Sequence, residues 1–275
     1  MAAGLDDDVY SAVIPADDRS FLFGDGLFET MLCIDGAVPW FDYHLERMLN
    51  GTRRLAIAAS QEQLREGFQR AIPGQGRHIL RLTLSRGSGI RGYAPGDGQA
   101  RLRARLTPLD ERLLEPRSDL RLARSSLTLG AQPRLAGIKH CNRLEQVLAA
   151  AEAEERGVDD VLVGDGQGGH QCSGRANLFV LTDDGLATPP CDQRGIAGTR
   201  RRLVIEALAP ALALKVREAP ISDQMLRSAQ AVLVSNTVLG VALVDTIDGV
   251  ACARSPKAEA LQRRYLDELG TCVAP

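Results

Sequence analysis

Hydrophobic and polar positions alternate with a period of two in several stretches of the first hundred residues. "HILRLTLSRG" (78–87) sends Leu80, Leu82 and Leu84 to one face, and "QARLRARL" (99–106) repeats the pattern. Such alternation marks strands with one buried face, so the two segments are predicted to pair across the Gly-rich connection "GSGIRGYAPGDG" (87–98). A loop of that length inside a compact domain is more often functional than a plain turn. "FETMLCIDGAVPW" (28–40) predicts a hairpin turning at Asp35-Gly36. In "YHLERMLNGTRRLAI" (43–57) the period becomes helical, and Leu45, Met48, Leu49 and Thr52 share one face.

Pro and charge interrupt the pattern at 107–118, "TPLDERLLEPRS". That segment is predicted to be a linker between a small α+β domain, 1–106, and a larger α/β domain, 119–275. The second half is expected to hold strands near 119–129 and a helix from about 141 to 156, ended by Gly157. Leu144, Val147, Leu148 and Ala151 are expected to form that helix's inward face. A hairpin follows through "DDVLVGDGQGGHQCSGRANLFVL" (159–181), then the loop-to-helix "RGIAGTRRRLVIEAL" (194–208) and the strand-to-turn "AVLVSNTVLG" (231–240). The class these elements predict is α/β of the α+β type, in two domains, with no internal repeat.

Composition narrows the function classes. At 275 residues, 44% hydrophobic and 25% charged, the chain is an ordinary soluble globular sequence able to bury a sizeable core. The formal net charge is −2 and no basic patch is interleaved with aromatics, which argues against nucleic acid. "RLRARL" (101–106) reads as a half-buried strand with a solvated face. No apolar run is long enough to span a bilayer, and the acidic start "MAAGLDDDVY" lacks the basic and apolar parts of a signal peptide. The six cysteines include no C-x-x-C pair, which argues against a zinc site or disulfide framework and fits a reducing cytoplasm. No metal site is expected.

The chemistry begins with lysine. Of 33 basic residues only Lys139, Lys215 and Lys257 are not arginine. Lys215 alternates outward in "LALKVREA" and Lys257 lies in an exposed first helical turn. Lys139 follows Gly137 and Ile138 and precedes a helix, where a lysine is costly unless paired or neutral. A neutral amine is what Schiff-base chemistry requires, and Arg, always protonated, cannot substitute. Spacing alone leaves a solvent-facing lysine as the other reading. Two further features bear on the choice. Gly195 and Gly198 bracket a tight turn, and Thr199 opens a helix whose free N–H groups and dipole favour an anion, ideally phosphate. Ser235, Asn236 and Thr237 place hydrogen-bonding groups in an apolar strand, where they must find partners. Backbone groups or a phosphate would serve. An amine together with a phosphate cradle describes pyridoxal phosphate.

At these residues the chain resembles the fold-type IV pyridoxal-phosphate enzymes, and among them the 4-amino-4-deoxychorismate lyases. The resemblance is carried by "FGDGLFET" (23–30), "YHLERM" (43–48), "LSRGSGIRGYAPG" (84–96), "LAGIKHCNRLEQVLAA" (135–150), "ANLFVL" (176–181), "TPPCDQRGIAGTRR" (188–201) and "VSNTVLGV" (234–241). "GIKHCNRLEQ" is the most specific, because the related aminotransferases diverge after the lysine. The resemblance implies a homodimer, with Lys139 holding the cofactor and then moving protons on the substrate. It implies Arg47 on the phosphate, completed by the backbone around Gly198, Thr199 and Arg200 with Asn236 and Thr237. Arg91 and Tyr93 would help receive a carboxylated substrate. The implied reaction releases pyruvate from 4-amino-4-deoxychorismate and leaves 4-aminobenzoate, a folate precursor.

One departure stands out. The family's glutamate at the pyridine nitrogen lies five residues before the Asn of "NLF", and that count reaches Cys172. A carboxylate there keeps the nitrogen protonated, whereas a thiol is a weak donor and a weak acceptor. His170 or Gln171 could reach in only through a local register change, since alternation sends one face inward. Two alternatives therefore accompany the lyase reading: a branched-chain or D-amino acid aminotransferase on the same fold, and a repurposed homologue with altered cofactor chemistry.

Overall fold

A computed structural model of the chain describes residues 9–10, 13–89 and 91–273. The acidic segment 1–8 read above lies outside them. The residues group into two compact units. The first comprises the chain up to Leu109, the segment Ile138–Asn142 and the tail from Cys272; the second comprises Asp110–Gly137 and Arg143–Thr271. Lys139 thus groups with the N-terminal unit, not with the body of residues 119–275.

In the first unit α1 (Arg19–Phe23) leads into β1 (Gly26–Ile34), α2 (Phe41–Leu55), α3 (Gln61–Ala71), β2 (Arg77–Ser85) and β3 (Arg101–Pro108). The strands form an antiparallel sheet in the order β1-β2-β3, so β2 and β3 pair across the Gly-rich loop as alternation predicts. Leu80, Leu82 and Leu84 are fully buried, and Leu45, Met48, Leu49 and Thr52 form the inward face of α2. Each such leucine contributes on the order of 2 kcal/mol by leaving water. A reciprocal capping box, Ser60 with Gln63, starts α3.

The hairpin expected at Asp35-Gly36 is half present. Both residues have positive φ and turn the chain, but Ala37 closes only one bridge, to Ile34, and β1 pairs along its length with β2. Pro39 cannot donate to a ladder, and Trp40 starts α2 instead of a return strand.

The second unit is built on a sheet with the path β10-β6-β5-β4-β12-β11-β7-β8-β9. In chain order its elements are β4 (Leu120–Thr128), α4 (Leu144–Glu155), β5 (Asp160–Gly164), β6 (Gly169–Ser173), β7 (Asn177–Thr182), β8 (Gly185–Thr188), α5 (Thr199–Leu203), α6 (Ala209–Ala211), β9 (Val216–Glu218), β10 (Ile221–Ser222), α7 (Asp223–Arg227), β11 (Ala231–Asn236), β12 (Gly240–Ile247), β13 (Val250–Ala251) and α8 (Pro256–Cys272). A π-helical turn, Val204–Leu208, joins α5 to α6. Leu120, Leu122, Leu162, Leu178, Val180, Val232, Val234 and Val244 form the larger core cluster on this sheet.

Helix α4 reverses the sequence expectation. Ala149 and Ala153 face the sheet and pack with Val161 and Val163, while Leu144 is 77% exposed, Val147 59% and Leu148 54%. Ala151 is exposed as well. Small side chains let the helix lie close on the strands; the large ones point away.

Candidate active site

The first unit fixes Lys139 through its backbone. Phe28 N–H donates to the Lys139 carbonyl and Cys141 N–H to the Gly26 carbonyl, both at 2.9 Å, with a bridge between Leu27 and His140. The segment 138–142 therefore adds to the free edge of β1, and alternation puts the Lys139 side chain on the sheet face away from α2. There Nζ lies 4.3 Å from the centre of the Phe28 ring.

The opposite face carries a buried polar cluster that pattern reading did not single out. Glu29, 1% exposed in a largely apolar strand, receives Arg47 Nε at 2.8 Å and Nη2 at 2.5 Å. His44 Nδ1 lies 2.6 Å from Glu29 Oε2, and since a carboxylate only accepts, that nitrogen carries the proton. Burial pushes the Glu29 carboxyl up, but the Arg47 charge and the bonds from His44 and Arg47 outweigh it and hold the group at about 2. The guanidinium assigned to an anion is thus already held in a fork by Glu29. An acid amid apolar residues in "FGDGLFET" was the available signal.

In the second unit the chain around Gly198 is built for close approach. Gly137, at φ +81°, donates its N–H to the Gly195 carbonyl and accepts from Ala197 N–H. A Cβ at Gly198 would lie 2.0 Å from Asn177 Oδ1, so no side chain fits there. Asn177 Nδ2 in turn donates to the Ile196 carbonyl at 2.8 Å. Gly198 is the N-cap of α5 and no side chain caps that turn. The buried hydroxyls of Thr199 and Thr237 lie 3.3 Å apart, and Arg200 is buried beside Thr199. Ser235 Oγ is buried without a hydrogen-bond partner among the described residues. Such a donor set at a helix start suits an anion.

Asn236 departs from its expected place in the cradle. Its Oδ1 accepts from Val238 N–H and Leu239 N–H, and its Nδ2 donates to the Arg175 carbonyl. The side chain is consumed in closing the β11–β12 turn, and Thr237 is the neighbour brought to Thr199. Sequence reading assigned no role to Asn177, although "ANLFVL" contains it.

The strict alternation assumed at Cys172 also fails. Val163 pairs with Cys172 but Gly164 pairs with His170, which leaves Gln171 as an extra, bulged residue. Cys172 packs against the cluster of Ala149, Ala153, Val161 and Val163, and burial pushes its thiol up to about 12, so it stays protonated at neutral pH. Gln171 instead donates Nε2 to the Pro190 carbonyl at 2.8 Å and lies against Gly195. His170 is paired with Asp223 at 2.9 Å. A register change is therefore present, and it turns Gln171 to the Pro190–Gly195 loop.

The loop carrying Arg91 and Tyr93 is held by its backbone. Arg19 donates to the carbonyls of Gly92, Tyr93 and Ala94 at 3.0–3.1 Å. Tyr93 is exposed with its ring against Phe23, and Arg91 is exposed.

The model of the amino-transferase class IV family matches residues 26–247, spanning the lysine segment and the turn at Gly198. The chain belongs to this family. Aminodeoxychorismate lyase from Vibrio harveyi is 32% identical over 239 residues, covering 85% of this chain and 87% of that protein. D-alanine aminotransferase from Listeria monocytogenes is 25% identical over 277 residues, covering 94% and 91%. Among solved structures, the 4-amino-4-deoxychorismate lyase of Pseudomonas aeruginosa superposes with a TM-score of 0.83 at 32% identity, covering 95% of this chain and 96% of that one. Among the described residues no helix is long and apolar enough to cross a membrane, and no group of side chains could hold a metal ion.

Proposed function

We propose that the chain is a pyridoxal-phosphate-dependent lyase that releases pyruvate from 4-amino-4-deoxychorismate and leaves 4-aminobenzoate. The observation that carries the reading is Lys139, a primary amine fixed at a strand edge against Phe28 in a chain whose cations are otherwise almost all arginine.

The residues present suit the cofactor. Lys139 Nζ would bind the aldehyde carbon. The backbone N–H groups of Thr199 and Arg200, with Gly198 giving room and the Thr199 and Thr237 hydroxyls beside them, would hold the phosphate. Arg47 would add charge, oriented by Glu29. When bound, pyridoxal phosphate supplies a conjugated ring that withdraws electrons from the amine-bearing carbon.

The chain's own part is proton transfer and orientation. Lys139 Nζ would serve as the base that takes the proton from the amine-bearing ring carbon. The C–O bond to the enolpyruvyl group then breaks as the six-membered ring becomes aromatic, and the departing enolpyruvate gains a proton to become pyruvate. No oxidant and no keto-acid acceptor enters the balance. Aromatisation supplies driving force that transamination lacks, so this elimination tolerates a neutral residue, Cys172 or Gln171, at the cofactor's ring nitrogen.

We further propose a cytoplasmic homodimer. Its support is the exposed stripe of Leu144, Val147 and Leu148 on α4, an apolar surface of the kind a second copy covers. A D-amino acid aminotransferase is the second reading, supported by the Listeria relative that spans nearly the whole chain.

The test measures release of pyruvate and 4-aminobenzoate without any keto acid, with and without added pyridoxal phosphate, on wild type and Lys139→Ala. Elimination by wild type and a loss of at least about a thousandfold in the variant are expected, the scale for removing a covalent catalyst that also moves protons. Transfer from D-alanine to a keto acid without elimination would replace this reading by the second.

A further inference from the structure

The loop 87–98 carries five glycines in twelve residues. Glycine loses more conformational freedom on folding than any other residue, so such a segment takes no single shape by itself. In the first unit it is nevertheless wrapped around two consecutive buried residues, Asp18 and Arg19.

Asp18 ties the two feet of the loop. Its Oδ1 accepts from Ser85 Oγ at 2.6 Å, at the end of β2, and its Oδ2 from Arg101 Nη1 at 3.2 Å, at the start of β3. An isolated bridge also joins Asp18 to Ser88. Arg19 ties the tip. Its backbone N–H donates to the Gly87 carbonyl at 2.9 Å, and its side chain then passes Gly89, where a Cβ would stand 2.9 Å from the arginine Cδ. Beyond that crossing Nη1 donates to the Gly92 and Ala94 carbonyls and Nη2 to the Tyr93 carbonyl.

The guanidinium is itself anchored. Arg19 Nε donates to Asp25 Oδ2 at 2.8 Å, and the same carboxylate receives Arg86 Nε at 2.7 Å and Nη2 at 3.0 Å. Arg86 continues to the carbonyls of Leu55 and Ala56 at the end of α2, at 2.6 and 2.8 Å. Burial pushes the Asp25 carboxyl up, but the bonds and charges of Arg86 and Arg19 outweigh it and hold the group below its ordinary value. Arg19, Asp25 and Arg86 thus fix the loop tip to α2. A planar fork can reach several carbonyls at once, which a lysine ammonium cannot reproduce.

With the carbonyls of residues 92–94 turned onto Arg19, the Tyr93 side chain is left outside. It is 86% exposed, yet its ring centre lies 5.4 Å from that of Phe23, whose ring in turn lies 5.0 Å from the Arg19 guanidinium. Ligand-binding loops usually come from the least stable parts of a fold. Here a buried cation is committed to three loop carbonyls, which shapes the tip without covering its side chains.

We infer that Arg19, assisted by Asp18, is a positioning residue that holds the Gly-rich loop in its binding shape before any ligand arrives, so that the loop is a fixed rim for the substrate and not a lid that closes on it. The inference rests on the lyase reading for the substrate alone; the shape of the loop is independent of turnover.

The test exposes the full-length protein to trypsin, which cuts after arginine, and follows the bond between the exposed Arg91 and Gly92 by mass spectrometry. Wild type should be cut slowly there. Arg19→Gln and Arg19→Lys should speed that cut at least about tenfold, because cleavage tracks the population of the open loop. Arg19→Lys keeps a cation beside Asp25 and serves where Arg19→Gln fails to fold. With 4-amino-4-deoxychorismate and added pyridoxal phosphate, the variants should raise KM about tenfold while kcat is kept, since a loop competent in one molecule in ten binds about ten times more weakly. Equal cutting in wild type and variants overturns the inference, and so does faster cutting with KM unchanged. If wild type eliminates nothing while the variants are cut faster, the lyase reading fails and the clamp on the loop stands.

Discussion

Glu29 gives a test of the polar cluster that needs neither cofactor nor substrate. The carboxyl is held at about 2, against 4.5 for an ordinary glutamate. A group lowered on folding contributes stability that is fully present above its unfolded value and is lost as pH falls towards the folded one. Two and a half units correspond to about 3 kcal/mol at pH 7, of which about 2 should be gone by pH 3. Glu29→Gln removes that dependence and leaves Arg47, 9% exposed, without its counter-charge. Removing one partner of a buried pair costs about 3–5 kcal/mol. The expected result is a variant about 3–5 kcal/mol less stable at neutral pH, with the gap narrowing by about 2 kcal/mol between pH 7 and pH 3. Trp40, the only tryptophan in the chain, is the N-cap of α2, the helix that carries His44 and Arg47. Urea unfolding followed by its fluorescence therefore reads this unit directly. A gap that stays constant across that pH range would show that Glu29 is not the low-titrating partner of Arg47, and the argument would fail.

Two other outcomes follow from packing. Gly198→Ala puts a methyl where Asn177 Oδ1 already stands, so pyridoxal phosphate affinity should fall at least about tenfold, with about 1–3 kcal/mol of overpacking; adding Asn177→Ala should recover part of it in a fluorescence titration. Leu148→Glu changes an exposed position and should shift folding stability by under about 0.5 kcal/mol. If α4 is a subunit interface, light scattering should show that variant as a monomer; an unaltered dimer would remove the stripe from the interface.

What could be read from the sequence follows a physical division. The pairing of β2 with β3 and the inward face of α2 were legible because each depends on the local period of large apolar residues, and Leu80, Leu82, Leu84, Leu45 and Met48 obey it. The placement of Lys139 was not legible, because what fixes it is pairing with Gly26 and Phe28, more than a hundred residues earlier, which leaves no periodic mark. The bulge at Gln171 left no mark for a related reason: a five-residue offset from Asn177 names Cys172 but not the face it takes, and one extra residue sends Gln171 to the Pro190–Gly195 loop. One misreading has another origin. Leu144, Val147 and Leu148 were expected inside because the pattern was judged against the chain's own core alone, and the structure leaves all three exposed on α4. An apolar stripe left outside is a cost to a single copy, and it ceases to be one where, as proposed, a second copy covers it; there local consistency is expected to give way.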